Sequence, residues 1–426
     1  MREGYKVTEV GDIPESWEII RLGDFTSSFA GGTPLRSNED YFSGGTIPWL
    51  KSGEVNQRNI ITTEEKITAK AISESAAKII PSNSVVVALY GATAGNVGML
   101  RIEASSNQAV LAVIPKCKEL YNEFLYHYLR QVTPKLLSLT QGSGQPNLSK
   151  GIVDKLQIPL PPLPEQQKIA SILSTVDEKI ENIDAQISQT QELKKGLMQQ
   201  LLTKGIGHTK FKSSELGDIP ESWEVVKLGE IAKCFVGIAS SATHAYSEKG
   251  ILLIRNQNIK EGWLNLNDKL FVTEEYEMQH RSKRLRAGDI LTVRTGYPGI
   301  SAVVPSELEG CQSFTTLITR LTTDKLASYF LCYYINSEKG KSFFTNNQAG
   351  NGQQNVGSKT LENMVIPVPA SCEQRKIVII LQEVDRKISS LQSRKETYQL
   401  LKKGLMQQLL TGKIRVKLSS PEPALA

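Results

Sequence analysis

Two stretches of the chain place apolar side chains at alternating steps of four and three. The first runs through Ile169, Leu173, Val176, Ile180, Ile183, Ile187, Thr190, Lys194, Leu197 and Leu201. The second runs through Ile377, Leu381, Val384, Ile388, Leu391, Lys395, Tyr398, Lys402, Leu405 and Leu409. This is the seam of a coiled coil and predicts two long helices. About 40 residues at 1.5 Å each make a rod of roughly 60 Å, too long to pack inside one ordinary domain. A stripe of two positions in seven is also narrower than a globular core face. Two amphipathic helices in separate cores are the alternative. Pro164 and Glu165 suit a first helical turn, Ser371 with Gln374 suits a capping box, and Gly205 and Gly412 suit the ends. Lys194 and Lys402 lie on the seam, where their stems can pack while their heads reach water. Gly196 and Gly404 stand mid-helix off the seam, at about 1 kcal/mol each relative to Ala. Close approach of another helix, from a partner subunit, is one account of them, and local bending is the other.

Elsewhere the helical period is not sustained. "SNSVVVALYG" (82–91), "AGDILTVRTG" (287–296), "NQAVLAVIP" and "FTTLITRL" predict buried strands, the first two running into glycine turns. "EFLYHYLRQ" and "ASYFLCYYIN" predict short helices at matching places. The matching extends further. "GDIPESWE" occurs at 11–18 and again at 217–224, "IPLPPLPEQQKIASILSTVDEKI" parallels "IPVPASCEQRKIVIILQEVDRKI", and "LKKGLMQQLLT" closes both long segments. Between these frames, 26–157 and 232–365 agree only in outline. The chain is a tandem duplication with kept edges and diverged centres. It divides into a first module (1–157), a helix (158–206), a second module (207–365), a second helix (366–416) and a tail (417–426). Each module is α+β, mixed and mostly β. One frame around two different centres points to one kind of job performed on two targets.

Composition narrows the job. A chain of 426 residues exceeds one core, and 40% hydrophobic with 22% charged residues describes a folded protein. No apolar run approaches a membrane span, and "MREGYKVTEV" lacks a signal-peptide core, so a cytoplasmic location is expected. Cys117, Cys234, Cys311, Cys332 and Cys372 form no CxxC, and His127, His208, His244 and His280 form no cluster. Reduced thiols and no metal site are expected. "GATAGNVG" (91–98) lacks the Gly-Lys-Ser/Thr of a P-loop, and there is no GxGxxG unit, nucleophile elbow or HExxH. No residue is assigned a catalytic role. A net charge of +6 permits a polyanion partner without demanding one. The pattern is that of a binding protein.

The turns of the two centres carry the residue types that read nucleic acid. Arg, Lys, Asn and Gln read base edges, whereas Ser, Thr, Lys and backbone amides hold phosphates. "WLKSGEVNQRN" corresponds to "LIRNQNIKEGW", "TQGSGQPNLSK" to "NNQAGNGQQNVGSK", and "RSKRLR" adds four cations. The DNA-binding candidates in the first module are Lys51, Ser52, Asn56, Arg58, Tyr90, Thr93, Asn96, Gln145, Asn147 and Lys150. Those in the second are Arg255, Asn256, Gln257, Arg281, Lys283, Arg284, Arg294, Tyr297, Gln353, Asn355 and Lys359. Each segment alone also reads as a plain loop or a solvated face. Recurrence at equivalent places in both copies weighs against that.

The arrangement resembles the specificity subunit of type I restriction-modification systems, over nearly the whole chain. "GDIPESWE" opening each module, "LPEQQKIASIL" and "CEQRKIVIIL" opening the helices, and "LKKGLMQQLLT" closing them carry the resemblance. It implies two target-recognition domains that read a bipartite sequence in double-stranded DNA, separated by two antiparallel coiled-coil helices in a pseudo-twofold internal repeat. It also implies docking of two methyltransferase subunits and of restriction subunits. S-adenosylmethionine, ATP and Mg would reside in those partners, with no cofactor on this chain and no membrane partner. Antiparallel pairing sets Ile169 opposite Leu409 and Lys194 opposite Val384, and Trp17 and Trp223 are expected to pack each domain onto the helices. A recognition module of another assembly, or a coiled-coil scaffold without DNA affinity, are the other readings.

Overall fold

The computed structural model describes residues 3–139, 147–347 and 356–418. Five helices frame the fold: α1 (Asn122–Leu139), α2 (Leu163–Leu201), α3 (Ser328–Asn336), α4 (Glu338–Asn346) and α5 (Ser371–Leu409). The chain divides into two units, Met1–Asp184 with Ser393–Ala426, and Ala185–Gln392. Both boundaries fall inside the 39-residue helices α2 and α5.

In the first unit, five strands line up in the order Thr26–Ala30, Val110–Pro115, Ser84–Ala88, Val97–Leu100 and Asn59–Ile60. The pairs are antiparallel except the last. The unbroken apolar run at Ser84–Ala88 is explained by burial on both faces. Val85 and Val87 face one core with Phe124 and Leu129 of α1, Ile169 and Leu173 of α2, and Leu409 of α5. Val86 and Ala88 face another with Leu50, Val55 and Ile60. A ribbon of Glu18–Arg21 against Gln157–Leu160 ties the start of the module to its end, just before α2.

The second unit repeats this plan. Its sheet runs Ala232–Val236, Leu317–Leu321, Ile290–Thr292, Ser301–Val303, and its closing ribbon pairs Glu224–Lys227 with Val365–Val368. Two expectations change here. "FTTLITRL" is two strands rather than one, because Thr315 takes φ 54 and breaks the run. The helix expected to be short over "EFLYHYLRQ" runs on to Leu139, whereas the one over "ASYFLCYYIN" ends at Asn336 as expected, and the Ser337 hydroxyl then caps the start of α4 by accepting from the Gly340 amide.

Within each unit, α2 and α5 run antiparallel. In the first, Asp177 pairs with Lys402, and one heptad along α2 Asp184 pairs at 2.6 Å with Lys395, one heptad back along α5. In the second, Lys194 lies 2.6 Å from Asp385, next to the expected Val384. Seam residues Ile169, Leu173, Val176, Ile183 and Leu409 are buried in the first unit, with Ile180 and Leu405 half-buried. In the second, Leu201, Ile377, Leu381, Ile388 and Leu391 are buried, with Ile187, Leu197 and Val384 half-buried. Lys402 departs from the snorkelling expectation: the residue is 7% exposed because its ammonium finds a carboxylate inside rather than water outside. Gln374 does not close a capping box with Ser371; its amide is committed elsewhere. Gly196 and Gly404 are exposed, and a Cβ on either would meet nothing within 4 Å.

Candidate nucleic-acid interface

The site rests on a junction built by the repeated octapeptide. Trp17 is fully buried, and its indole N–H donates to Glu165 in the first turn of α2 at 3.0 Å. Trp223 does the same to Glu373 of α5 at 3.0 Å. A further side chain completes each pair. Arg415 donates to both oxygens of Glu165, while His208 Nε2 and the Ile206 amide each stand 2.9 Å from Oε1 of Glu373. The helix-ending glycines allow this closeness. A Cβ on Gly412 would meet Pro14 and Trp17, one on Gly205 would meet Glu373 and Trp223, and both residues hold positive φ.

The next residue along each helix clamps the short helix of its domain. Gln166 accepts from the Tyr121 amide at 2.8 Å and donates to the carbonyls of Glu119 and Pro161. Gln374 repeats the pattern with the Ala327 amide and the carbonyls of Lys325 and Pro369. These two amides therefore fix where α1 and α3 begin.

On that support, each unit gathers three segments into a polar rim. In the first, the Thr93 hydroxyl donates to the Ser52 carbonyl at 2.9 Å, and the Leu148 amide donates to the Leu89 carbonyl at 2.8 Å. Ser52, Tyr90, Thr93, Asn96 and Asn147 are thereby brought together. In the second, Asn256 donates to the Thr295 hydroxyl at 3.0 Å and accepts from the Arg294 amide at 3.3 Å. The Val356 amide donates to the Arg294 carbonyl at 3.4 Å, matching the Leu148 contact. Arg255, Asn256, Gln257 and Arg294 share this rim with Tyr297, which is 82% exposed.

The leading cation of each rim is held by an acid from a neighbouring loop. Lys51 lies 2.6 Å from Glu64 and 3.2 Å from Glu65, and these carboxylates, Glu64 foremost, raise its ammonium above the ordinary range. Arg255 and Gln257 both donate to Asp268, at 2.8 and 2.7 Å. A held side chain is pre-oriented, which is what discrimination between base edges requires.

The family described as type I restriction modification DNA specificity domain matches residues 14–192 and again 220–399. The chain belongs to that family. It is 32% identical to the type I restriction enzyme MjaVIII specificity subunit of Methanocaldococcus jannaschii, over 97% of each chain. It is 22% identical to the EcoKI specificity subunit of Escherichia coli K12, over 86% of this chain and 82% of that one. The fold is similar to the crystal structure of the type I system S subunit from M. genitalium, with a TM-score of 0.58 at 16% identity, over 92% of this chain and 96% of the other.

Not all candidates of these specificity domains reach a rim. Arg58 points away from it, with its side chain 6% exposed, donating to the Ser174 carbonyl of α2 at 3.3 Å and lying 4.0 Å from Asp177. Lys150 pairs with Asp154. In "RSKRLR", Lys283 donates to the Gly237 carbonyl at 2.8 Å and Arg284 grips Glu277, holding that carboxyl below its usual range. Arg281, Asn56 and Lys359 are set by no such contact at either rim, and all three are exposed. Gln145, Gln353 and Asn355 lie outside the described residues.

From the sequence Glu165 reads only as a first-turn acid and Gln374 only as a capping-box member, and nothing marks Gln166 or Glu373. The available signal is a Glu-Gln pair kept in both copies while its neighbours change. Among the described residues, no three His, Cys, Asp or Glu side chains stand together as a metal site would need, and no helix is long and apolar enough to cross a membrane.

Proposed function

We propose that this chain reads a bipartite sequence in double-stranded DNA, one half-site per specificity domain, with α2 and α5 setting the gap. The observation that carries the reading is the recurrence of one rim with different side chains. Lys51 and Ser52 in the first unit stand where Arg255 and Asn256 stand in the second, on the same turn, with the same backbone junction behind them. Arg and Asn at such a rim suit guanine and adenine edges respectively.

The chain itself performs no chemistry in this reading. Two methyltransferase subunits dock on it and bring S-adenosylmethionine, and restriction subunits bring ATP and Mg. Gly196 and Gly404 support the docking, because two exposed mid-helix glycines with nothing nearby in their own chain leave room for a partner's helix. A solved structure that resembles this fold, with a TM-score of 0.57 at 20% identity, is named for complex assembly of the type I system.

The test is a genome-wide map of methylated adenine in the source organism, with and without the gene. Loss of one two-part motif with a fixed gap is expected. An unchanged map in cells whose methyltransferase is active would overturn the reading.

A further inference from the structure

Arg58 is expected at the DNA, yet its side chain is only 6% exposed. It lies a few residues beyond the rim turn Ser52–Glu54 and directly before the strand Asn59–Ile60. Its backbone is tied into the sheet, because its carbonyl accepts from the Met99 amide at 2.7 Å. Its side chain crosses to α2. There Nη1 donates to the Ser174 carbonyl at 3.3 Å and stands 3.9 Å from Glu178, while Nε faces Asp177 at 4.0 Å.

Asp177 is the centre of a buried polar knot. Lys402 of α5 pairs with one of its oxygens, Arg130 of α1 lies 3.8 Å from the same oxygen, and His127 of α1 lies 3.9 Å from the other. One carboxylate thus joins α1, α2, α5 and the recognition segment. Lys402 is hydrogen-bonded to it. Arg58 Nε and the facing Asp177 oxygen instead meet as buried charges without a hydrogen bond, so the Arg58 link is electrostatic, with the guanidinium anchored by the Ser174 carbonyl.

The second unit has the corresponding carboxylate without the corresponding brace. Asp385 pairs with Lys194 and accepts from the Tyr333 hydroxyl at 2.7 Å, much as Asp177 takes Lys402 and faces His127. The recognition segment, however, presents Gly262 here. A cleft of about 470 Å³ remains, lined by Gly262, Tyr329, Tyr333, Gln382, Asp385 and Arg386.

We propose that Arg58 is a positioning residue for recognition: through Asp177 it braces the first domain's reading segment on the spacer helix, and the second domain reads its half-site without such a brace. The inference rests on the bipartite reading above. Removing the brace loosens the whole first half-site at once and leaves the second untouched.

The experiment compares the full chain with Arg58→Met, Asp177→Asn and the double variant. Binding is measured on duplexes carrying the mapped target with each base pair changed in turn, over a range of salt, and thermal unfolding checks that each variant is folded. In Arg58→Met, discrimination should fall about tenfold at every position of one half-site and stay intact at the other. The salt slope should not change. Asp177→Asn, nearly isosteric, should give the same pattern, and the double variant should add nothing. A loss confined to one base pair, or a salt slope lower by about one with Asp177→Asn silent, would make Arg58 a direct DNA contact and overturn the proposal. Full discrimination in all variants would overturn it too. If the unaltered chain binds no two-part target, the functional reading fails instead, and the two failures are distinguishable.

Discussion

An indole N–H has one proton to give, and once its ring is buried that proton must find an acceptor. Trp17 and Trp223 find theirs on Glu165 and Glu373, so the octapeptide is kept because its tryptophan joins a domain to the first turn of a helix. Arg415 and His208 take up the remaining capacity of these carboxylates. Trp223→Ala should cost about 3–5 kcal/mol, as large-to-small core changes do, and should lower the unfolding transition that contains the second unit. Calorimetry showing the same midpoint as the unaltered chain would contradict this. Residues of this kind are hard to read from sequence. Glu165 and Gln166 open a helix in a hydrophilic stretch, and nothing in their type separates a clamp from a solvated turn. Arg58 is illegible for the same reason, since a cation in a polar segment has one composition whether it faces DNA or a helix.

The long helices are legible because a two-in-seven apolar stripe suits little besides a seam between helices, and that seam is largely buried or half-buried in both units. Their polar members are less so: Lys402 has the composition of a surface residue, yet it forms a buried pair with Asp177. That knot has a pH consequence. Burial, reinforced by the nearby charges of Lys402, Arg58 and Arg130, pushes the His127 imidazole well below its ordinary 6.5. Its folded pKa is lowered, so below pH 6.5 the unfolded chain takes up a proton that the folded one refuses. The stability His127 contributes is therefore present above that pH and lost as the pH falls through and below it, by up to about 1.4 kcal/mol per pH unit. Between pH 7.5 and 5.5 the unfolding midpoint should drop more in the unaltered chain than in His127→Asn. Equal drops would show that His127 takes up its proton as readily in the fold as in the unfolded chain.

At the scale of the whole molecule, the duplication is legible from kept edges, and the closing ribbons show why edges are kept. Glu18–Arg21 with Gln157–Leu160, and Glu224–Lys227 with Val365–Val368, fix where each domain begins and ends, while the loops between are free to diverge. The rims are only half legible, because which polar turns converge depends on backbone junctions such as Leu148 to Leu89 that no residue type announces. Each domain is held to read its own half of one target. This is tested most directly by replacing residues 26–157 with the same segment of a family member of different specificity and mapping methylated adenine. The expected outcome is a motif with one half replaced and the other half and the gap retained. An unchanged motif, or one altered in both halves, would contradict it.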